Sequence, residues 1–256
     1  MKVSLDGKRA FISAGGAGMG RSTAIAMHKL GAQVFTCDID HVALSTLPVG
    51  ITTFQCDVSD SAAVNAMFDQ ILPSGLDILV NNAGISGPTK LVEDISDQEW
   101  RECMSVCIDS QFYCVRRVAP IFKEQRSGSI INIVSAAGIL GYPTRTPYSS
   151  AKWAVRGFTE TLAMELGPSN IRVNGIVPGN VEGDRIERVI EAQAKADKVE
   201  TEQIRRMYSI GTSMQCYVDA QEIADLICYI TSDYGRHISG QMIAVDGNTE
   251  TLYPRS

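Results

Sequence analysis

Tyr148 and Lys152 stand four residues apart in the segment YSSAK, a spacing that puts both on one face of a helix. Free tyrosine, with a pKa of about 10, is a poor base at neutral pH. An ammonium held beside a phenol favours the phenolate, by on the order of a few kcal/mol in a partly dry site. Such a pair can take the proton of an alcohol while a hydride leaves for a nicotinamide ring. Ser135 ends the apolar run SIINIVS and is placed to hold the substrate oxygen. Alone, Y-x-x-x-K is a frequent accident on a solvated helix, so its meaning rests on what accompanies it.

What accompanies it is a glycine loop. In FISAGGAGMGRS the glycines Gly15, Gly16, Gly18 and Gly20 follow a strand-like run and open a helical one. A loop in that place cradles a pyrophosphate, because glycines let the backbone approach and the first N–H groups of the helix carry partial positive charge. The fingerprint G-x-G-x-x-G is not met in any frame, since Arg21 stands where the third glycine belongs. Asp38 ends the second strand-like run, QVFTCD. An acid about 20 residues beyond the loop takes the ribose hydroxyls of the adenosine half and repels a 2′-phosphate. No Lys or Arg stands at 39 or within 13–17, so the cofactor expected is NAD rather than NADP.

These residues need a scaffold that brings strand ends together. Strand-length apolar runs lie at 9–14, 33–38, 52–57, 76–82, 129–135, 172–178 and 241–246, with helical patterns at 18–30, 60–71, 97–126, 148–166, 184–208 and 219–232. Several runs are continuously apolar, as in strands buried on both faces. The repeated alternation predicts a doubly wound α/β domain with a seven-stranded parallel sheet, helices on both faces, and one domain over residues 1–256. The charged stretch 183–215 is the exception, and reads either as a solvated helix pair or as a lid over the site. The chain is 45% hydrophobic and 20% charged with a net charge of −6, which argues against nucleic acid as a partner. No run is long enough to span a membrane, and the N-terminus has no secretory apolar region. Seven cysteines form no C-x-x-C pair and three histidines are scattered. They read as reduced core thiols in a cytoplasmic protein with no metal site.

Together, SAGGAGMG (13–20), NNAG (81–84), INIVS with YSSAK, and RVNGIVPG (172–179) resemble the short-chain dehydrogenase/reductase family, of the single-domain Rossmann type. The family's loop, T-G-x-x-x-G-x-G, sets Ser13, Ala14, Gly18 and Gly20 on its fixed positions. The resemblance implies that Ser13, Gly15, Gly18, Met19 and Gly20 hold the pyrophosphate region and that Asp38 and Ile39 meet the adenosine ribose. It implies Cys56, Asp57 and Val58 around the adenine, and Asn82, Ala83 and Gly84 (with Asn81) along the cofactor. Tyr148 and Lys152 would hold the nicotinamide ribose, with Pro178, Gly179 and Val181 beside the nicotinamide. Ser135, Tyr148 and Lys152 would be catalytic. A homotetramer is implied too, in which the tail 249–256 approaches a neighbour's site.

Three positions depart from the family pattern. Ala14 replaces a glycine, which costs roughly 1 kcal/mol if that position needs positive φ, unless Gly15 absorbs the turn. Cys107 stands where the family has an asparagine that anchors a water leading to the lysine, and a thiol is a weak hydrogen-bonding group. Gly183 replaces a threonine that binds the cofactor. For the small-molecule substrate, Arg145 in GYPTRTPY matches relatives that use an arginine there to grip a carboxylate. Ser135, Arg145, Tyr148 and Arg185 form the expected substrate site, to which Arg188 can add. A hydroxy acid or sugar-derived keto-deoxy acid is the expected substrate. The competing class is a neutral cyclic or aromatic alcohol walled by Trp153, Tyr142 and Met207. A non-catalytic NAD-binding sensor is a further alternative. An epimerase fits poorly, because the glycine spacing differs and a substrate domain is lacking.

Overall fold

The computed structural model describes residues 3–252. Strands β1 (Arg9–Ser13), β2 (Gln33–Asp38), β3 (Ile51–Gln55), β4 (Ile78–Asn81), β5 (Gly128–Ile133), β6 (Ile171–Pro178) and β7 (Met242–Val245) form one sheet. Its order is β3-β2-β1-β4-β5-β6-β7, and each neighbouring pair is parallel. The strand order reverses between β1 and β4, and a sheet of this kind opens a ligand crevice there, at the carboxyl ends of its strands.

Neighbouring residues of β1 explain why its central positions, Ala10 to Ile12, are apolar in a row. Phe11 points into a core with Phe68, Val118, Phe122, Ile130 and Leu162. Ala10 and Ile12 point into the opposite core with Met27, Ile78, Ile131 and Ile227. Successive strand side chains face opposite ways, so a strand covered by helices on both faces cannot alternate with polar residues. The first core is closed by α3 (Ser61–Ile71), α5 (Ser110–Gln125) and α6 (Thr146–Leu166); the second by α1 (Gly18–Lys29) and α9 (Ala220–Thr231). Local signals fix where several helices begin. The Asp60 carboxylate accepts from the Ala62 amide at 2.8 Å, and Ser96 with Glu99, like Asp219 with Glu222, forms a capping box.

Three stretches differ from the sequence expectation. The helix expected over 97–126 is α4 (Asp97–Met104), a π turn at Ser105–Asp109 and then α5. The charged stretch splits into α7 (Asp184–Asp197) and α8 (Thr201–Ile210), because Lys198 adopts φ 58° and ends α7 in a left-handed turn. Their own small core joins Ile190 and Ala194 to Ile204 and Tyr208. A short helix, α2 (His41–Ser45), capped by Asp40, follows β2 and has too few residues to show a period.

After β7 the chain returns across the site. Thr249 bridges to Thr212, the Glu250 amide donates to Gly211 O at 2.9 Å, and Leu252 is buried against Ala136, Ala137 and Tyr148. Of the tail expected to reach a neighbour, 253–256 lie outside the described residues, 249–251 pair with Gly211 and Thr212, and Leu252 lines its own chain's cavity. The turn after β1 resolves the question at Ala14: this alanine takes φ 53°, while Gly15 needs no positive φ. The alanine bears the strain itself. Replacing it, Ala14→Gly, is expected to stabilise the fold by about 1 kcal/mol and to raise Tm by about 2–4 °C in a thermal melt.

Candidate active site

The glycine loop is shaped by how closely its neighbours approach. A Cβ on Gly15 would sit 1.9 Å from Thr36 Oγ1, and one on Gly16 would sit 2.8 Å from Asp38 Oδ2. One on Gly20 would sit 2.2 Å from Ala14 O. At Gly18, by contrast, a Cβ would meet nothing within 4 Å, so the loop is open on that side. Helix α1 starts there with Ala17 as its N-cap and no side chain accepting from its first N–H groups, which leaves those donors for an anion. Ser13 ties the loop to the next strand, its hydroxyl accepting from the amides of Asn82 at 2.9 Å and Ala83 at 3.0 Å. Asn82 Nδ2 in turn donates to Ser13 O at 3.0 Å and Ala14 O at 3.1 Å.

Asp38 closes the far side of the loop. Its carboxylate accepts from the Gly16 amide at 2.9 Å and the Asp40 amide at 3.1 Å. Ile39 is exposed beside it, Cys56 and Val58 are buried, and Asp57 is occupied by Ser59 at 2.7 Å. Arg21, the residue that spoiled the common fingerprint, donates to Thr46 Oγ1 and Thr46 O, both at 2.9 Å. Open N–H donors, a glycine-walled approach and an acid at the end of β2 fit a dinucleotide.

The expected chemical groups converge at the ends of β5 and β6. Ser135 follows β5, and its Oγ accepts from the Ala137 amide at 3.1 Å, which leaves its proton to be donated elsewhere. Lys152 is 2% exposed and donates to Ile133 O at 2.7 Å; its Nζ lies 5.8 Å from the centre of the Tyr148 ring. Helix α6 can press this close because Gly138 has no side chain: a Cβ there would lie 2.7 Å from Lys152 O. Ser149 Oγ donates to Ala137 O at 2.9 Å and locks the same contact.

Ser135, Tyr148 and Lys152 line one cavity with Met19, Asn82, Pro178, Gly179 and Val181. Arg145 and Arg185 line it too. Arg185, at the start of α7, donates to Gly84 O at 3.0 Å and lies with its Cζ 5.8 Å from the Tyr148 ring centre. Arg145 is 2% exposed. Its Nη1 donates to Ser86 O at 3.1 Å and Gly87 O at 3.3 Å, and its Cζ lies 5.7 Å from the Tyr142 ring centre. Its Nε and Nη2 are buried with no hydrogen-bond partner among the described residues. Tyr142 shares a hydrogen bond with Tyr208 of α8, and burial pushes both phenols up.

Some expected members are elsewhere. Trp153 faces solvent and donates to Leu140 O at 3.5 Å, and Met207 packs within the α7–α8 core; neither lines the cavity. Of the three aromatic or apolar walls named from the sequence, Tyr142 alone does. Arg188 is on the exposed side of α7. Gly183, at φ 124°, caps α7 in a conformation a threonine rarely adopts. Among the apolar walls are Ile186 and Val189 of α7, within the stretch read as a possible lid, and Leu252 of the tail; which residues of those segments face the cavity is set only by tertiary folding.

A parallel doubly wound sheet with an open glycine loop, and a serine, tyrosine and buried lysine at its strand ends, defines a dinucleotide-binding oxidoreductase. Within that class, the model of the short chain dehydrogenase family matches residues 8–194, and the chain belongs to this family. It is an oxidoreductase of alcohol- or ketone-type substrates that binds a nicotinamide cofactor. It is 33% identical over 247 residues to a 2-keto-3-deoxy-L-fuconate dehydrogenase of Xanthomonas campestris, covering 95% of this chain and 80% of that one. It is 31% identical over 265 residues to a 3beta-hydroxysteroid dehydrogenase of Mediterraneibacter gnavus, covering 96% of each. Among solved structures, an NAD+-bound xylitol dehydrogenase superposes with a TM-score of 0.91 at 27% identity, covering 95% of this chain and 99% of that one. No helix among the described residues is long and apolar enough to cross a membrane.

Adding a methyl group where the loop meets α1 separates the loop's shape from its charge. Gly20→Ala, with its Cβ driven against Ala14 O, is expected to weaken nicotinamide dinucleotide binding at least about tenfold. A fluorescence titration with the reduced cofactor measures this.

Proposed function

We propose that this protein is an NAD-dependent dehydrogenase of secondary alcohols that carry a carboxylate, such as a hydroxy acid or sugar-derived keto-deoxy acid. The observation that carries the substrate class is the free edge of Arg145. Nε and Nη2 form the side of the guanidinium that takes a carboxylate by two parallel hydrogen bonds. Both are buried without a partner while Nη1 is pinned to two carbonyls. Leaving buried charged donors unpaired costs more than a typical hydrogen bond returns, so an acceptor belongs there when the site is filled. Arg185, lining the same cavity, adds positive charge, and the name of the fuconate-derived relative points to an acid substrate as well.

The loop from Ser13 to Gly20 and Asn82, Ala83, Gly84, Pro178, Gly179 and Val181 would hold NAD, with Asp38 on the adenosine ribose and Cys56, Asp57 and Val58 near the adenine. Bound NAD supplies the hydride acceptor. Ser135 donates its free proton to the substrate oxygen, Tyr148 takes the hydroxyl proton, and Lys152 holds positive charge beside the phenolate. Asp38 would exclude a 2′-phosphate, and Arg21 is committed to Thr46. Helices α7 and α8, within 183–215, act as the lid that excludes water. The exposed Trp100, Phe112, Trp153 and Met164 on α4, α5 and α6 support a homotetramer, and free thiols at all seven cysteines suit the cytoplasm.

Turnover of a hydroxy acid compared with its methyl ester tests the substrate reading. The acid is expected to be preferred at least about tenfold, and Arg145→Met to raise its KM by about 10–100-fold while leaving the ester unchanged; equal rates on acid and ester would remove the anion reading. Tyr148→Phe is expected to retain no more than a few per cent of turnover. With NADP run beside NAD, a preference for NADP would overturn the role given to Asp38, and Asp38→Asn is expected to narrow the NAD preference at least about tenfold.

A further inference from the structure

The segment that carries Arg145 is fastened to the lid. Tyr142, three residues earlier, shares its hydroxyl hydrogen bond with Tyr208 of α8. Tyr208 is itself held from the sheet, where Asn180 Nδ2, just beyond β6, donates to Tyr208 O at 3.0 Å. The protons of the tyrosine pair outnumber its acceptors. Two hydroxyls bring two protons, and the bond between them uses one. The other has no acceptor among the described residues. Beside the pair stands Arg145, its Cζ 5.7 Å from the Tyr142 ring centre, with Nε and Nη2 buried and equally without an acceptor. Among the described residues no carboxylate forms an ion pair with this guanidinium. Burial keeps both phenols protonated, and the charge of Arg145 reaches each of them. One wall of the cavity therefore gathers two guanidinium N–H donors and a phenol O–H, with nothing to receive them.

We infer that Tyr142 is a further substrate-binding residue, its hydroxyl donating to the carboxylate that Arg145 holds, and that Tyr208 is the positioning residue that aims it. The inference rests on the carboxylate reading given above. Where the two tyrosines stand sets the direction of their bond. Tyr142 lines the cavity and Tyr208 does not, so the proton a substrate can meet is that of Tyr142, and Tyr208 donates to the Tyr142 oxygen. A hydroxyl that accepts one hydrogen bond donates the next more strongly. A carboxylate offers two oxygens with about four lone-pair sites, enough for Nε, Nη2 and the phenol together. A methyl ester sets an alkoxy oxygen and a methyl group against the same donors and leaves one of them buried and unpaired, which is costly. The residue expected from the sequence as a wall for a neutral alcohol is thereby a polar contact. Through Tyr208 the lid takes part in recognising the acid.

Oxidation of a panel of 2- and 3-hydroxy acids, each set against its own methyl ester, tests this in wild type, Tyr142→Phe, Tyr208→Phe and the double variant. Tyr142→Phe is expected to lower the acid-over-ester ratio of kcat/KM by about 10–100-fold, chiefly through the KM of the acid, as loss of a hydrogen bond to a charged group does. Tyr208→Phe is expected to lower it by about 3–10-fold. The double variant is expected to match Tyr142→Phe to within about twofold, because Tyr208 acts through Tyr142. A merely structural loss would slow acid and ester alike and leave the ratio in place. Phenylalanine keeps the ring that packs in the α7–α8 core, and melting temperatures check the fold; should Tyr142→Phe not fold, the ratio in Tyr208→Phe decides. A wild type that prefers the acids, with that ratio unchanged in the single variants, overturns the inference and leaves Arg145 as the carboxylate's ligand. Effects that multiply in the double variant overturn the role of Tyr208. A wild type that prefers no acid to its ester removes the carboxylate reading and this inference with it.

Discussion

A lysine ammonium that solvent barely reaches, tied to the carbonyl of Ile133, is the constraint around which the carboxyl edge of this sheet is arranged. An ammonium at the end of a strand needs a helix close enough to carry it and a backbone oxygen to receive it. Gly138 allows the approach, Ser149 fastens it to Ala137, and the turn they share presents Ser135 to the cavity. Tyr148 is placed by the same helix one turn earlier. Ser135 and the Tyr148–Lys152 pair are thus set by a single packing contact between the turn after β5 and α6. A perturbation of that contact moves them together.

The opposite wall of the crevice obeys a different rule. There the chain holds an open row of N–H donors by packing glycines against Thr36, Asp38 and Ala14, while Ser13 and Asn82 cross-link β1 to β4 through four hydrogen bonds. The loop is rigid where it touches protein and open where it faces ligand. Ala14 shows how far that rule overrides local preference: an alanine holds φ 53° because the neighbouring glycines are already committed to close contacts.

Much of this was legible in the sequence because it is written in short-range terms. The continuous apolar runs follow from a sheet covered on both faces, and the spacing of Tyr148 and Lys152 follows from helical geometry. The place of Asp38, at the end of β2 beside the loop, follows from its distance beyond Gly20. What escaped was decided by tertiary contacts. The break at Lys198 depends on two helices folding back to share Ile190 and Ile204. The cavity walls Ile186, Val189 and Leu252 come from segments far apart in the chain. Trp153 and Met207 looked like site residues by composition, yet helical phase turns one to solvent and the other into the α7–α8 core. The unfilled edge of Arg145 is invisible in sequence, because it is defined by which acceptors are missing.

The π turn at Ser105–Asp109 gives one continuous helical rod two independent phases. Each residue of an α-helix advances about 100° around the axis, so a wider turn rotates everything before it relative to everything after. Downstream, Cys114, Val115, Val118 and Phe122 meet the sheet core. Upstream, Cys103 and Cys107 meet α6 and the substrate crevice. A regular helix could align only one of these faces, so the inserted turn uncouples the geometry of the site from that of the core, and residues on either side of it can change without forcing the other face out of register.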